Sequence, residues 1–155
     1  MSFEKRLAEL GITLPEVAAP VAAYVPAVQT GNYIYTSGQL PFVEGKLPAT
    51  GKVGEGESLV SAEDAAAYAR TCALNALAAV RSVTGSLDAI SRIVKVVGFV
   101  ASDPSFTGQP AVINGASSVL GEIFGDAGVH ARSAVGVAVL PLDSPVELEL
   151  VVELA

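Results

Sequence analysis

The stretch 129-VHARSAVGVAVLPLDSPVELELVVEL-154 holds the only His of the chain, one Arg and three Glu on an otherwise apolar segment. In its second half Val146, Leu148, Leu150 and Val152 share one face of a strand, and Glu147, Glu149 and Glu153 share the other. The apolar face calls for a layer of helices. The carboxylate face is either solvated or covered by another subunit that holds its carboxylates for a purpose. In the first half Ser133, Val135, Val137 and Val139 alternate with Ala134, Gly136, Ala138 and Leu140, so neither face is polar. A sheet with an apolar second face needs a cover, and oligomerisation supplies one most cheaply. Residues 133–140 and 146–153 are expected to pair as a hairpin, with a turn built on 141-PLDSP-145.

Working outward, 92-RIVKVVGFVA-101 is a β-branched run and reads as a strand. After Pro110, a favoured first-turn residue, Ile113, Ala116, Leu120 and Ile123 recur at helical spacing. Gly115 and Gly121 weaken that helix by roughly 1 kcal/mol each, which points to close packing or ligand approach. Ser61-Ala-Glu-Asp64 opens another helix that runs to about Thr84 and stops at Gly85. Its Ala66, Ala69, Ala73 and Ala76 permit close approach to a sheet, with Leu74, Leu77 and Val80 as larger anchors. Upstream, 24-YVPAVQTGNYIYTSGQLP-41 reads as two extended runs around Gly31-Asn32, a hairpin. Residues 42–60 lack periodicity and form a loop, and 3–10 form a short helix expected to cover an edge. The order is ββ-α-β-α-ββ after that first helix, with no internal repeat, in one domain of 155 residues whose first 19 are an N-terminal helical extension.

The net charge of −7, with nine scattered Lys and Arg, argues against a nucleic-acid partner, although one well-placed Arg suffices for a small anion. One Cys and one His leave no disulfide framework and no zinc constellation. The N-terminus lacks the apolar core of a secretory signal and no stretch is long enough to span a membrane, so a cytoplasmic protein without a membrane partner is expected.

The segment 131-ARSAVGVAVLPLDSPVELEL-150 resembles the C-terminal signature of the RidA/YjgF family, and Tyr24, 36-TSGQLP-41, the helix from Ser61, 94-VKVVGFV-100 and Asn114 follow the family in the same order. The resemblance runs from about residue 20 to the end. It implies an α+β, chorismate-mutase-like fold: a mixed sheet packed by two helices, assembled as a homotrimeric barrel with clefts between subunits. It also implies hydrolysis of reactive 2-imino and 2-enamino acids to 2-keto acids and ammonia, with no cofactor and no metal. The alternative is a non-catalytic trimer of the same fold that binds small acids. Ribonuclease activity, attached by name to some relatives, fits the charge least, because no basic, aromatic-studded face is visible.

The residues bear on that chemistry directly. Arg132 offers a planar fork for a substrate carboxylate, or else forms a structural ion pair with a nearby Glu. Glu147 could aim water at an imine carbon and shuttle its proton, and Glu149 has the same facing. The resemblance adds Tyr24, Ser37, Gly38, Asn114 and Ala134 as substrate-binding positions. Ser37-Gly38 reads equally as a plain turn, Tyr24 as an ordinary half-buried hairpin residue, and Asn114 as a helical residue satisfying a neighbouring loop. Two departures stand out: His130 and Ala134 replace the Pro and Cys common in active relatives, and the loop 42–60 is longer. His130 is either a pH-sensitive cleft residue or a capping residue at a strand entry.

Overall fold

The computed structural model describes residues 1–17 and 23–155; the end of the expected 1–19 extension and the start of the matched stretch near residue 20 lie outside them. Its elements are α1 (Phe3–Glu9), β1 (Ala27–Thr30), β2 (Tyr33–Thr36), α2 (Ala62–Thr84), β3 (Ile90–Ala101), α3 (Gln109–Phe124), β4 (Ala131–Val137) and β5 (Val146–Leu154). The strands form one mixed sheet in the order β1-β2-β5-β3-β4, in which only β3 and β4 run parallel. Among the described residues this is an α+β fold with three α-helices, and the sheet is open: the barrel that the resemblance implies does not close within one chain.

The expected 133–140/146–153 hairpin is not formed. β3 lies between its two strands, pairing parallel with β4 and antiparallel with β5. A hop over one strand must cross about 10 Å, more than a tight turn spans. Residues 138–145 make that hop around the end of β3, where Ser102 N donates to Val137 O and Ala101 N donates to Pro145 O, each at 2.9 Å.

The inward row of β5 is as its alternation requires: Val146, Leu148, Leu150 and Val152 are all buried beneath the helices. They meet Ile93, Val96 and Val100 of β3 and the apolar faces of α2 and α3. Helix α2 starts at Ser61, whose hydroxyl accepts from Asp64 N, and ends at Gly85 in the left-handed region. Among its small residues Ala69, Ala73 and Ala76 are buried, but Ala66 meets α3 rather than the sheet: a Cβ on Gly115 would collide with the Ala66 carbonyl. Gly121 has open space around it, so only Gly115 serves close packing.

Helix α1 covers helix ends rather than a sheet edge. Phe3 packs on Phe124 with ring centroids 4.6 Å apart, Arg6 Nε donates to Glu122 O at 3.0 Å, and Glu4 pairs with Arg81 at 3.2 Å. Among the described residues no helix is long and apolar enough to cross a membrane.

Gly115 yields a sign test of the α2–α3 crossing. In a free helix Gly→Ala stabilises by up to about 1 kcal/mol. Gly115→Ala is expected instead to destabilise by about 1–3 kcal/mol, because the added methyl meets backbone that cannot yield. A denaturant midpoint raised rather than lowered would show that the helices separate freely.

Candidate functional site

Arg132 is the second residue of β4 and is paired in register with Val96 of β3, so it shares the helix-facing side with that buried valine. Ala134 and Gly136 continue the same row, opposite Gly98 and Val100. Across from them α3 presents Asn114 and, one turn on, Ser117. Arg132 Nη1 donates to Asn114 Oδ1 at 2.7 Å and to Ser117 Oγ at 3.2 Å. Guanidinium groups only donate, so the amide atom facing Arg132 must be the oxygen. Both Nη1 protons are thereby engaged. The Nε–Nη2 edge is left as the side able to grip a carboxylate with two parallel bonds.

The ion-pair reading of Arg132 is not met: among the described residues the Arg–carboxylate pairs involve Arg6, Arg70, Arg81 and Arg92. Its neighbours are neutral acceptors, which orient the cation without cancelling its field.

His130 stands at the entry to β4. Its Nδ1 lies 2.6 Å from Gly128 O and its Nε2 lies 2.9 Å from Ser117 Oγ. It is neither a free cleft residue nor a surface cap: it backs the serine that holds Arg132. Ser117 carried no signal in the sequence beyond its position three residues after Asn114, which places the two on one helix face.

Glu147 lies on the other side of the sheet. It pairs with Phe99, Glu149 pairs with Val97, and Ser133 and Val135 of β4 fall opposite the same Val97 and Phe99. Tyr33 and Tyr35 of β2 join this outer face opposite Glu153 and Val151. Val28, Tyr35 and Val135 are 53%, 49% and 43% exposed, so the outer face is an apolar surface with carboxylates set into it.

The Glu147 carboxylate packs directly over Gly38, where any Cβ would displace it. Ser37 anchors that turn by donating from Oγ to Val25 O at 2.6 Å and from N to Pro26 O at 2.8 Å. The backbone beside Tyr24 is thus tied to the turn under Glu147, while the Tyr24 side chain itself is exposed. The expected site residues therefore separate into two groups. Arg132, Asn114 and Ala134 lie on the helix side near β4, and Glu147, Ser37 and Gly38, with the Tyr24 segment, belong to the β2–β5 side.

Glu147 is half-buried. Burial first, and then the charge of Glu149, hold its carboxyl above the ordinary 4.5. The same carboxylate, after burial itself, raises the thiol of buried Cys72 on α2, so that thiol stays protonated and inert. Among the described residues no three His, Cys, Asp or Glu converge as metal ligands.

A family model described as "YjgF/chorismate mutase-like, putative endoribonuclease" matches residues 4–154. Protein TCP17 of Trypanosoma cruzi is 46% identical over 149 residues, 96% of this chain and 91% of that protein. A 2-iminobutanoate/2-iminopropanoate deaminase of Dermatophagoides farinae is 32% identical over 141 residues, 91% of this chain and 93% of its own. Among solved structures, a protein of unknown function from Agrobacterium tumefaciens has a TM-score of 0.88 at 45% identity, covering 99% of this chain and 92% of that one.

The raised Glu147 carboxyl predicts a pH dependence of stability. A group that binds its proton more tightly in the folded state favours folding at low pH and loses that favour as pH rises from the unfolded value through the folded one. Stability should therefore fall as pH rises just above 4.5, the ordinary value. Glu147→Gln should remove that fall and raise the melting temperature at pH 7, with no gain below pH 4. A variant less stable at pH 7 would mean that the carboxylate has a cationic partner on another copy.

Proposed function

The chain belongs to the YjgF/chorismate mutase-like family, and from that premise we propose that it hydrolyses small 2-imino and 2-enamino acids to 2-keto acids and ammonia in clefts between copies of itself. The observation that carries this reading is the separation of the two groups. Among the described residues Arg132 is an oriented cation without a carboxylate partner on one face of the sheet, and Glu147 is a half-buried carboxylate without a cation on the other. A small substrate gripped by Arg132 would, on this reading, meet the Glu147 of another copy. A second copy, laid with its outer face toward the β4 edge, brings each to the complement it lacks, and the apolar outer face gives such an assembly its driving force. A homotrimer is the closed form of this head-to-tail contact that we favour.

In the cleft the Nε–Nη2 edge of Arg132 grips the substrate carboxylate and fixes the neighbouring imine carbon. Glu147 of the adjoining copy accepts a proton from water as its oxygen attacks that carbon, forming a tetrahedral carbinolamine. The carboxyl passes that proton to nitrogen, then takes the carbinolamine hydroxyl proton and delivers it to nitrogen as the C–N bond breaks, so that ammonia leaves and the keto group forms. A carboxyl held above its ordinary value is a stronger base toward water, and its protonated form is more readily populated for the return of the proton to nitrogen. Tyr24, Ser37 and Gly38 border the Glu147 side, with Gly38 giving the carboxylate its place. Ala134 contributes only backbone and a small surface beside Arg132.

The family description also carries an endoribonuclease. A net charge of −7 and an outer face of tyrosines, valines and carboxylates give a polyanion little to hold.

Incubation with freshly generated 2-aminoacrylate, following keto-acid release, tests the activity: tight keto-acid binding without turnover would leave a binding protein of the same fold. Arg132→Lys keeps the charge and loses the fork, so keto-acid affinity and activity should both fall while assembly persists. Glu147→Gln should lower turnover by about a hundredfold or more with binding nearly intact. Refolding these two inactive variants together in equal amounts should restore activity, since about a quarter of all sites, roughly one in each mixed ring, would combine an intact Arg132 with an intact Glu147. A mixture as inactive as its components would place both residues in one chain's site or remove one of them from catalysis.

A further inference from the structure

We propose that Ser117 and His130 are positioning residues of the Arg132 carboxylate site, acting as a hydrogen-bond relay that selects which edge of the guanidinium faces the ligand. This rests on the functional reading above for what the ligand is, and on geometry alone for the relay. A carbonyl oxygen only accepts, so the His130 nitrogen facing Gly128 O at 2.6 Å, Nδ1, carries the proton. In the neutral ring Nε2 is then an acceptor, and the Ser117 hydroxyl 2.9 Å away donates to it. With its hydrogen fixed on His130, Ser117 Oγ offers its lone pairs to Arg132 Nη1 at 3.2 Å. Asn114 Oδ1, at 2.7 Å, takes the other Nη1 proton.

Direction runs through the whole chain: Nη1 to Ser117, Ser117 to His130, His130 to the Gly128 carbonyl. A serine free to turn could instead compete as a donor toward the ligand or release Nη1, and the guanidinium would rotate about its stem. Each member is set on rigid structure. Gly128 is buried at the end of the turn after α3, and a Cβ there would meet Leu120 O and Phe124, so the carbonyl on which the relay ends is fixed by packing. Ser117 is held on α3 between buried Ala116 and, two residues on, Val119. The result is a fork whose free edge is determined before any acid arrives, which favours planar carboxylates over ligands that need a single point charge.

The test is binding of 2-oxobutanoate by calorimetry. Ser117→Ala and His130→Ala should each weaken it about tenfold, the size of one lost charge-assisted hydrogen bond. The double variant should be no weaker than the poorer single one, because both break one relay. Ser117→Thr, which keeps the hydroxyl, should bind nearly as the parent does. In turnover the loss should fall on KM with kcat changed little, and melting temperatures should be unmoved. Unchanged affinity in Ser117→Ala, or fully additive losses in the double variant, would overturn the relay. In the unmodified protein, nitrogen NMR of the imidazole should show the Nδ1–H tautomer, and an Nε2–H ring would overturn it regardless of how the variants fold. If the parent fails to bind 2-oxobutanoate while the Nδ1–H tautomer is found, the functional reading falls and the relay stands.

Discussion

Strand parity across β3 governs everything else in this molecule. β3 is paired on both sides, parallel to β4 and antiparallel to β5, so its pleat dictates the facing of both neighbours at once. Val96 points to the helices and carries Arg132 with it; Phe99 points outward and carries Glu147 with it. Displacing either neighbour by one residue would exchange its two faces, turning Arg132 of β4 outward or burying the carboxylates of β5 beneath the helices. The Val146, Leu148, Leu150, Val152 row makes that slip prohibitive, because it would expose four apolar side chains and bury carboxylates in their place. The hydrophobic core thus decides which charged groups can meet within a chain and which can meet only between chains.

The electrostatics on the two faces share one design. Arg132 is partly desolvated against neutral acceptors, and Glu147 is partly desolvated beside a second carboxylate two residues along the strand. Neither arrangement favours the isolated fold: an unpartnered cation loses hydration without a countercharge, and like charges on one strand face repel. Elsewhere the chain shows ordinary pairing, with Arg70 to Glu122 and Arg92 to Glu153. Among the described residues, local electrostatic rules are thus broken around the two groups proposed for the chemistry, and functional sites are where perturbed carboxyls tend to gather.

Much of this was legible in local sequence. Alternation placed the two faces of β5, Ser61 and Gly85 bounded α2, and Gly31-Asn32 turned the first hairpin, since each signal lies within a few residues of what it determines. The partner of β4 was not legible. Two strands joined by a Pro-rich connection look the same whether they pair or straddle a third strand, and only the competition from β3 decides. The opposite facing of Arg132 and Glu147 depends on that pairing, so it was hidden as well. Asn114 came through the family resemblance, whereas Ser117 and the direction of the His130 bonds required α3 to be docked on β4, because a polar residue in a helix has no facing until the helix has a neighbour.

The crossover that separates β4 from β5 explains why the long loop at 42–60 belongs to the fold rather than to an optional excursion. Leu142 and Asp143 both adopt positive φ, at 59° and 58°, in the connection that delivers the chain to β5. Non-glycine residues there are strained, at about 1 kcal/mol or more each, and persist only where surroundings hold them. The holding contacts come from the loop: Gly51 N donates to Asp143 O at 2.8 Å, and Val53, fully buried, bonds through its N to Ala101 O at 2.7 Å while its carbonyl accepts from Asp103 N at 2.9 Å. Farther along, Gln39 and Leu148 exchange backbone bonds at 2.7 and 3.0 Å, pinning β5 one residue past Glu147. The strained turn is thus clamped between the loop and the end of β3, and β5 enters the sheet with no freedom to slide. A shorter connection could leave out the clamp only if another contact held the register, because the facing of Glu147, and with it the separation of carboxylate from guanidinium, depends on the residue at which β5 begins to pair.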